Sequence, residues 1–272
     1  MSIPSDPLLP GTHTVSVGGV DQRYHVAGAG PVCVVHPGGP GLGWEYLRMP
    51  DLERHLTLVY LEPIGTGRSG RVRDYGLGTY VRFLHGVIEQ LAAPSVYLLG
   101  HSHGGFVAQR YALSRGDRLA GLILFDTSPV TGEEFWTEAM ANVQRAGYAD
   151  AFQRALAAVD DEAFTVALRE VLPVYFAHYD EAAGVLPVRG WIAPQRAGGP
   201  PFDVRKNLGD IAAPTLIISG AHDFICGPRW GRMLHEGIPG SRFVLLEESG
   251  HMGHLEQPAV FTAAITGFAG CT

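Results

Sequence analysis

Residues Val96 to Leu99 form an apolar run that ends directly in Gly100-His101-Ser102-His103-Gly104. A short buried strand that breaks at Gly-x-Ser-x-Gly and opens into a helix holds its serine on a sharp turn, with the hydroxyl lifted above a sheet. The flanking positions take glycine because a Cβ there would collide with the neighbouring strand or helix. A chain with 36 glycines can produce the pentapeptide by chance, so the strand before it and the helix after it carry the reading.

The surrounding pattern fits that setting. Thr12–Val17 and Gln22–Ala27 alternate around Gly18-Gly19 and predict an opening hairpin. Short β-branched or leucine-rich runs then follow at Val32–Val35, Leu56–Leu61, Val96–Leu99, Leu119–Phe125, Thr215–Ser219 and Arg242–Leu246. Helical spacing lies between them at Trp44–Leu56, Tyr80–Leu91, Gly105–Leu113 and Trp230–Gly237. An antiparallel start followed by β-α alternation predicts an α/β fold with a mostly parallel sheet and helices on both faces. The alternation stops at Thr127. Helical patterns without a strand follow at Phe135–Tyr148, Asp150–Val159, Glu162–Val171 and Leu172–Glu181, before a Pro-Gly-rich stretch, Gln195–Phe202. The expectation is a core of residues 1–130 and 207–272, with residues 131–206 forming a helical cap over the carboxyl ends of the strands.

Bulk properties narrow the function classes. A length of 272 residues with 46% apolar and 17% charged residues suits one compact enzyme-sized unit. A formal net charge of −7 gives no support to nucleic-acid or anionic-membrane binding. Cys33, Cys226 and Cys271 are widely spaced and contain no Cys-x-x-Cys pair, which argues against a disulfide framework or a zinc site. No apolar run approaches membrane-spanning length, and Met1 to Gly11 lacks the basic-then-apolar layout of a secretion signal. A cytoplasmic location is the expectation, with no metal and no cofactor.

Acyl transfer needs a nucleophile, a base, a group that orients the base, and donors for an oxyanion. Candidates lie at the ends of predicted strands: Ser102 after Val96–Leu99, Asp223 after Thr215–Ser219, and His251 after Arg242–Leu246. His254 competes with His251, but His251 sits on the glycine-preceded loop directly after the strand. The backbone N–H groups of His103 and of Gly39, with Gly38 as the alternative, are the expected oxyanion donors. A phosphate cradle is a poor reading of the His36–Gly41 loop, because no Lys-Ser/Thr follows it.

Four blocks, Gly38-Gly39-Pro40-Gly41, Gly65-Thr66-Gly67-Arg68-Ser69, Gly100–Gly105 and Ser249-Gly250-His251 with Glu256-Gln257-Pro258, resemble the proline iminopeptidase branch of the α/β-hydrolases. The resemblance implies a Ser102–Asp223–His251 triad, an oxyanion hole from Gly39 and His103, and removal of an amino-terminal residue from a peptide or other amide. The chain departs from that branch at Pro37, at Glu62-Pro63-Ile64 and at His103, which bears on the substrate and not on the triad.

An aminopeptidase must bind an ammonium group, for which a carboxylate in the cap is the natural partner. Among the cap acids Glu170, between Leu168 and Val171-Leu172, is the best placed, and Asp180 and Glu181 are further members of that set. The cap's many aromatics, including Trp136, Phe152, Phe164 and Tyr175, suit both a small core and an apolar substrate pocket. The expected partner is a small-molecule or short-peptide amide with an apolar portion. The alternatives are an esterase, lactonase or carbon–carbon hydrolase with the same triad, and a small-molecule receptor on the same scaffold.

Overall fold

A computed structural model of the chain describes residues 6–179, 186–196 and 201–271. Strands β1 (Gly11–Val17) and β2 (Val20–Gly28) form the expected hairpin, turning at Gly18 and Gly19 with φ of 61° and 80°. Two consecutive positive φ angles give the turn whose twist matches that of the flanking strands, and glycine adopts them without strain. Six further strands follow: β3 (Val32–His36), β4 (Thr57–Glu62), β5 (Val96–His101), β6 (Leu119–Phe125), β7 (Thr215–Gly220) and β8 (Arg242–Leu246). The sheet order is β1-β2-β4-β3-β5-β6-β7-β8, in which β2 runs antiparallel to both its neighbours, β1 and β4, and all other pairings are parallel.

The central strands are covered on both faces, which explains why they read as continuous apolar runs. Leu98, Leu122 and Ile217 point to one face and pack with Phe83 of helix α1 (Leu77–Gln90) and Val107 of helix α2 (His103–Arg115). Their neighbours Leu99, Ile123 and Ile218 point to the other, against Phe261 and Ile265 of the carboxyl-terminal helix. Parallel pairing brings all the strand ends to one edge: His36 stands beside Gly100, His101 beside Phe125, and Gly220 beside Leu246. The loops that leave this edge carry every candidate site residue of the core.

Between β6 and β7 the described chain forms α3 (Glu133–Arg145), α4 (Ala149–Ala157), α5 (Asp161–Val171) and the short α6 (Ile192–Arg196). Helix α7 (Pro228–Gly237) follows β7, and α8 (Gly253–Glu256) and α9 (Pro258–Ala269) follow β8. Two expected helices do not appear among the described residues. Trp44–Leu56 contains only two single turns, Glu45–Leu47 and Leu52–Arg54, because Pro50 interrupts the period and the Tyr60 hydroxyl takes the Met49 N–H at 2.9 Å. The Leu172–Glu181 pattern yields one turn, Leu172–Tyr175, with Pro173 inside it, while Asp180 and Glu181 lie outside the described residues.

Candidate active site

Ser102 lies between β5 and α2 with φ 53° and ψ −120°, a conformation that costs a residue with a side chain on the order of 1–3 kcal/mol. Three hydrogen bonds hold it there. The Ser102 N–H donates to the Phe125 carbonyl at 3.0 Å, and its carbonyl accepts from the Gly105 N–H and the Thr127 hydroxyl, both at 2.8 Å. Gly104 has no alternative at its position, since a Cβ there would press on the carbonyl oxygens of His36 and Pro37. Helix α2 thus packs tightly against the end of β3 and aims its amino terminus at the space above Ser102.

His251 follows β8 and is buried. Its Nδ1 lies 2.7 Å from Asp223 Oδ2, and the other carboxylate oxygen accepts from the N–H groups of Ile225 at 2.9 Å and Cys226 at 3.0 Å. A carboxylate with these partners is fixed in place and can only accept, so Nδ1 carries the proton and Nε2 is left as the basic nitrogen. Ser102 and His251 line one cavity; among the described residues no hydrogen bond joins their side chains. His254 faces elsewhere: its Nε2 donates to the Tyr46 carbonyl at 2.9 Å, and burial pushes it down to about 4.

The loop after β3 separates the two candidate donors. The Gly38 N–H is engaged by the Tyr46 hydroxyl at 2.7 Å, whereas among the described residues Gly39 and His103 donate their N–H groups to no acceptor. Gly38 and Gly39 both line the cavity beside Ser102.

The Glu256-Gln257 pair anchors the histidine loop. Gln257 Oε1 accepts from the Glu248 N–H and the Ser249 hydroxyl, each at 2.9 Å. Glu256 accepts from Gly250 N–H at 2.7 Å and, through its other oxygen, from Ala177 at 2.8 Å and His178 at 3.0 Å. The His251 N–H donates to the Tyr175 carbonyl at 2.7 Å, a second link to the helical insertion.

The cavity above Ser102 measures about 90 Å³, less than the roughly 150 Å³ that admits a benzene ring. The insertion contributes Trp136, Phe152, Phe164, Leu168 and Tyr175 to its wall. Trp136 and Leu156 line it while remaining 42% and 50% exposed, so the cavity meets solvent between α3 and α4. Glu170 does not reach it. The inward face of α5 is Phe164, Leu168 and Val171, and Glu170 turns to solvent and pairs with Arg154 at 2.7 Å. The expected amine ligand is therefore a surface ion-pair partner. Among the described residues, the cavity wall carries no carboxylate, lysine or arginine side chain.

Three buried groups at the site escaped the sequence reading. Thr127 holds the Ser102 carbonyl, as described above. Tyr46 links Gly38 to His101. Asp126, with φ 44°, follows β6 and accepts from the Gly220 N–H at 2.7 Å; burial, reinforced by the nearby Asp223, raises its carboxyl well above the usual range. The signal for Asp126 was available, because an acid directly after a buried strand, in Phe125-Asp126-Thr127, occupies the same kind of position as Ser102. Two triplets could offer donor atoms to a metal ion: His101, Asp126 and His251, and Asp223, Cys226 and His251. Both would draw on His251, whose Nδ1 is already bonded to Asp223.

Comparison with known proteins agrees with this architecture. A model of the alpha/beta hydrolase family matches residues 32–264. The chain is 26% identical over 268 residues to a 2-hydroxy-6-oxo-2,4-heptadienoate hydrolase from Pseudomonas putida, covering 93% of this chain and 94% of that protein. It is 24% identical over 263 residues to the proline iminopeptidase PfmaB of Pestalotiopsis fici, covering 89% and 94%. An esterase from Exiguobacterium antarcticum superposes with a TM-score of 0.75 at 25% identity, over 96% of this chain and 99% of that one.

Proposed function

The chain belongs to the alpha/beta hydrolase family, and on that footing we propose that it is a serine hydrolase that cleaves an ester or amide of a short, uncharged, apolar acyl group. The observation that carries this reading is the cavity wall, which combines Ser102, His101 and His251 with mainly aromatic and aliphatic side chains and, among the described residues, offers no carboxylate, lysine or arginine side chain to a charged substrate. An amino-terminal ammonium would be desolvated there without a counter-charge, at a cost of several kcal/mol. A dienoate, the substrate named for the Pseudomonas relative, is an anion and meets the same obstacle.

In this reading His251 Nε2 takes the proton of the Ser102 hydroxyl as Oγ attacks the acyl carbonyl. Asp223 holds the imidazole tautomer and stabilises the imidazolium that forms. The N–H groups of Gly39 and His103 donate to the oxyanion, aided by the amino terminus of α2. The imidazolium then protonates the leaving oxygen or nitrogen, the carbonyl re-forms and the acyl-enzyme remains. Water, deprotonated by the same nitrogen, releases the acid and restores Ser102.

The aminopeptidase reading is the second, supported by the Gly38-Gly39-Pro40-Gly41 loop and by the likeness to PfmaB. One substrate panel separates the two: p-nitrophenyl esters from acetyl to octanoyl against alanyl and prolyl p-nitroanilides, free and N-acetylated. The proposal expects kcat/KM to peak at a short acyl chain and blocked anilides to be turned over at least as well as free ones. Turnover confined to anilides with a free amine would sink it.

A further inference from the structure

We propose that Tyr46 and His101 form a buried strut that sets the distance between the oxyanion loop and the histidine loop, making both positioning residues for the hydrolysis inferred above, on which this step rests. Three hydrogen bonds join the two loops in series: Gly38 N–H to Tyr46 Oη at 2.7 Å, Tyr46 Oη to His101 Nδ1 at 2.8 Å, and His101 Nε2 to the His251 carbonyl at 3.1 Å.

Every proton in the chain is fixed by its ends. A backbone N–H can only donate, so Gly38 spends a lone pair of the Tyr46 oxygen. A backbone carbonyl can only accept, so His101 carries its proton on Nε2. His101 is buried, and burial together with His251 and His254 holds it neutral, so Nδ1 is bare and accepts from the Tyr46 hydroxyl. Burial also raises the Tyr46 phenol, which keeps that proton on the oxygen. Reversing any one bond would leave two donors or two acceptors face to face.

The placement gives the strut its consequence. Its first bond engages Gly38, the residue before the expected oxyanion donor Gly39, and its last holds the backbone of His251 itself. His101 directly precedes Ser102, so the nucleophile's own turn forms the middle of the span. The ring of His101 also lies 4.5 Å, centroid to centroid, from that of His251. Strain in either loop is therefore passed to the other through two side chains that touch no reacting atom in the proposed mechanism. A shift of about 1 Å at such a site costs on the order of 100-fold in rate.

Two measurements on the full chain test the strut. In protein labelled with ¹⁵N-histidine, long-range proton–nitrogen spectra should show His101 as the neutral Nε2–H tautomer from pH 5 to pH 9; an Nδ1–H tautomer or a titrating ring overturns the assignment without any variant. Tyr46→Phe, which keeps the ring, should lower kcat on the preferred p-nitrophenyl ester about 10- to 100-fold with KM within about 3-fold. The Ki of an apolar trifluoromethyl ketone should rise by the factor that kcat/KM falls, and the double variant Tyr46→Phe/His101→Gln should fall no further than the worse single. If wild-type turnover depends on Ser102 yet Tyr46→Phe keeps full kcat, or if the two losses multiply, the strut is wrong. If Ser102→Ala retains turnover, the hydrolase reading itself fails.

Discussion

Asp126 and Asp223 stand at the ends of neighbouring strands, and only Asp223 has a complete set of donors. Asp223 accepts from His251, Ile225 and Cys226, whereas Asp126 accepts from Gly220 through one oxygen and its other oxygen is buried without a partner among the described residues. The two carboxyls thus divide the work of charge. Asp223 has a donor on each carboxylate oxygen, and Asp126 is driven towards its neutral form by burial and by the nearby Asp223.

That division predicts a pH-dependent stability. A carboxyl whose folded pKa is raised takes up a proton on folding, so its contribution is fully present below the unfolded value of about 3.9 and is lost as pH rises through the folded value. Asp126→Asn removes the titration while keeping the shape of the neutral acid. The melting temperature of the variant relative to the wild type should climb as pH increases from 4 and level off above the folded pKa of Asp126. A difference that is flat with pH, measured by calorimetry, would refute the assignment.

The backbone at Ser102 predicts an ordering of two inactive variants. Ser102→Ala and Ser102→Gly both remove the hydroxyl proposed as the nucleophile and should lower kcat by roughly 10⁴- to 10⁶-fold. Alanine keeps a Cβ at φ 53°, and glycine does not. The glycine variant should be more stable by about 1 kcal/mol, equivalent to roughly 2–4 °C in a domain of this size. Equal melting temperatures would show that the elbow stores no such strain.

Thr127 offers a test of how the elbow is held. Thr127→Val replaces the hydroxyl that donates to the Ser102 carbonyl and leaves the Gly105 N–H as its remaining donor. The loss should be about 1 kcal/mol of stability, with a fall in the rate of fluorophosphonate labelling at Ser102 larger than any change in KM. Labelling at the wild-type rate would show that the Gly105 bond alone holds the turn.

Much of the core site was legible in the sequence because each part depends on a local backbone event. Ser102, Asp223 and His251 each follow a short apolar run that reads as a strand and is one, and parallel pairing brings the ends of such strands to one edge. Glu170 was not legible in that way. Its place between Leu168 and Val171 suggested burial, but the helix turns it away from both and Arg154 on α4 pairs with it, a matter of tertiary packing. The Trp44–Leu56 segment carries a helical period that Pro50 and the hydroxyl of Tyr60, a residue on β4, override. Tyr46 escaped notice for a related reason: its task is defined by Gly38 and His101, which stand far from it in the chain.

Glu256 gives the helical insertion a fixed edge. One carboxylate oxygen holds the loop that carries His251, and the other holds the backbone at Ala177 and His178. The insertion and the loop of His251 are in effect riveted to the same side chain. A loosening of the insertion on that side would carry His251 away from Ser102, so movement that preserves the site belongs to the opposite margin, where Trp136 and Leu156 meet solvent. The same rivet sets a rule for building chimaeras: an insertion transplanted from a relative must bring a matching partner for Glu256, or His251 will be displaced however well the new pocket fits its substrate.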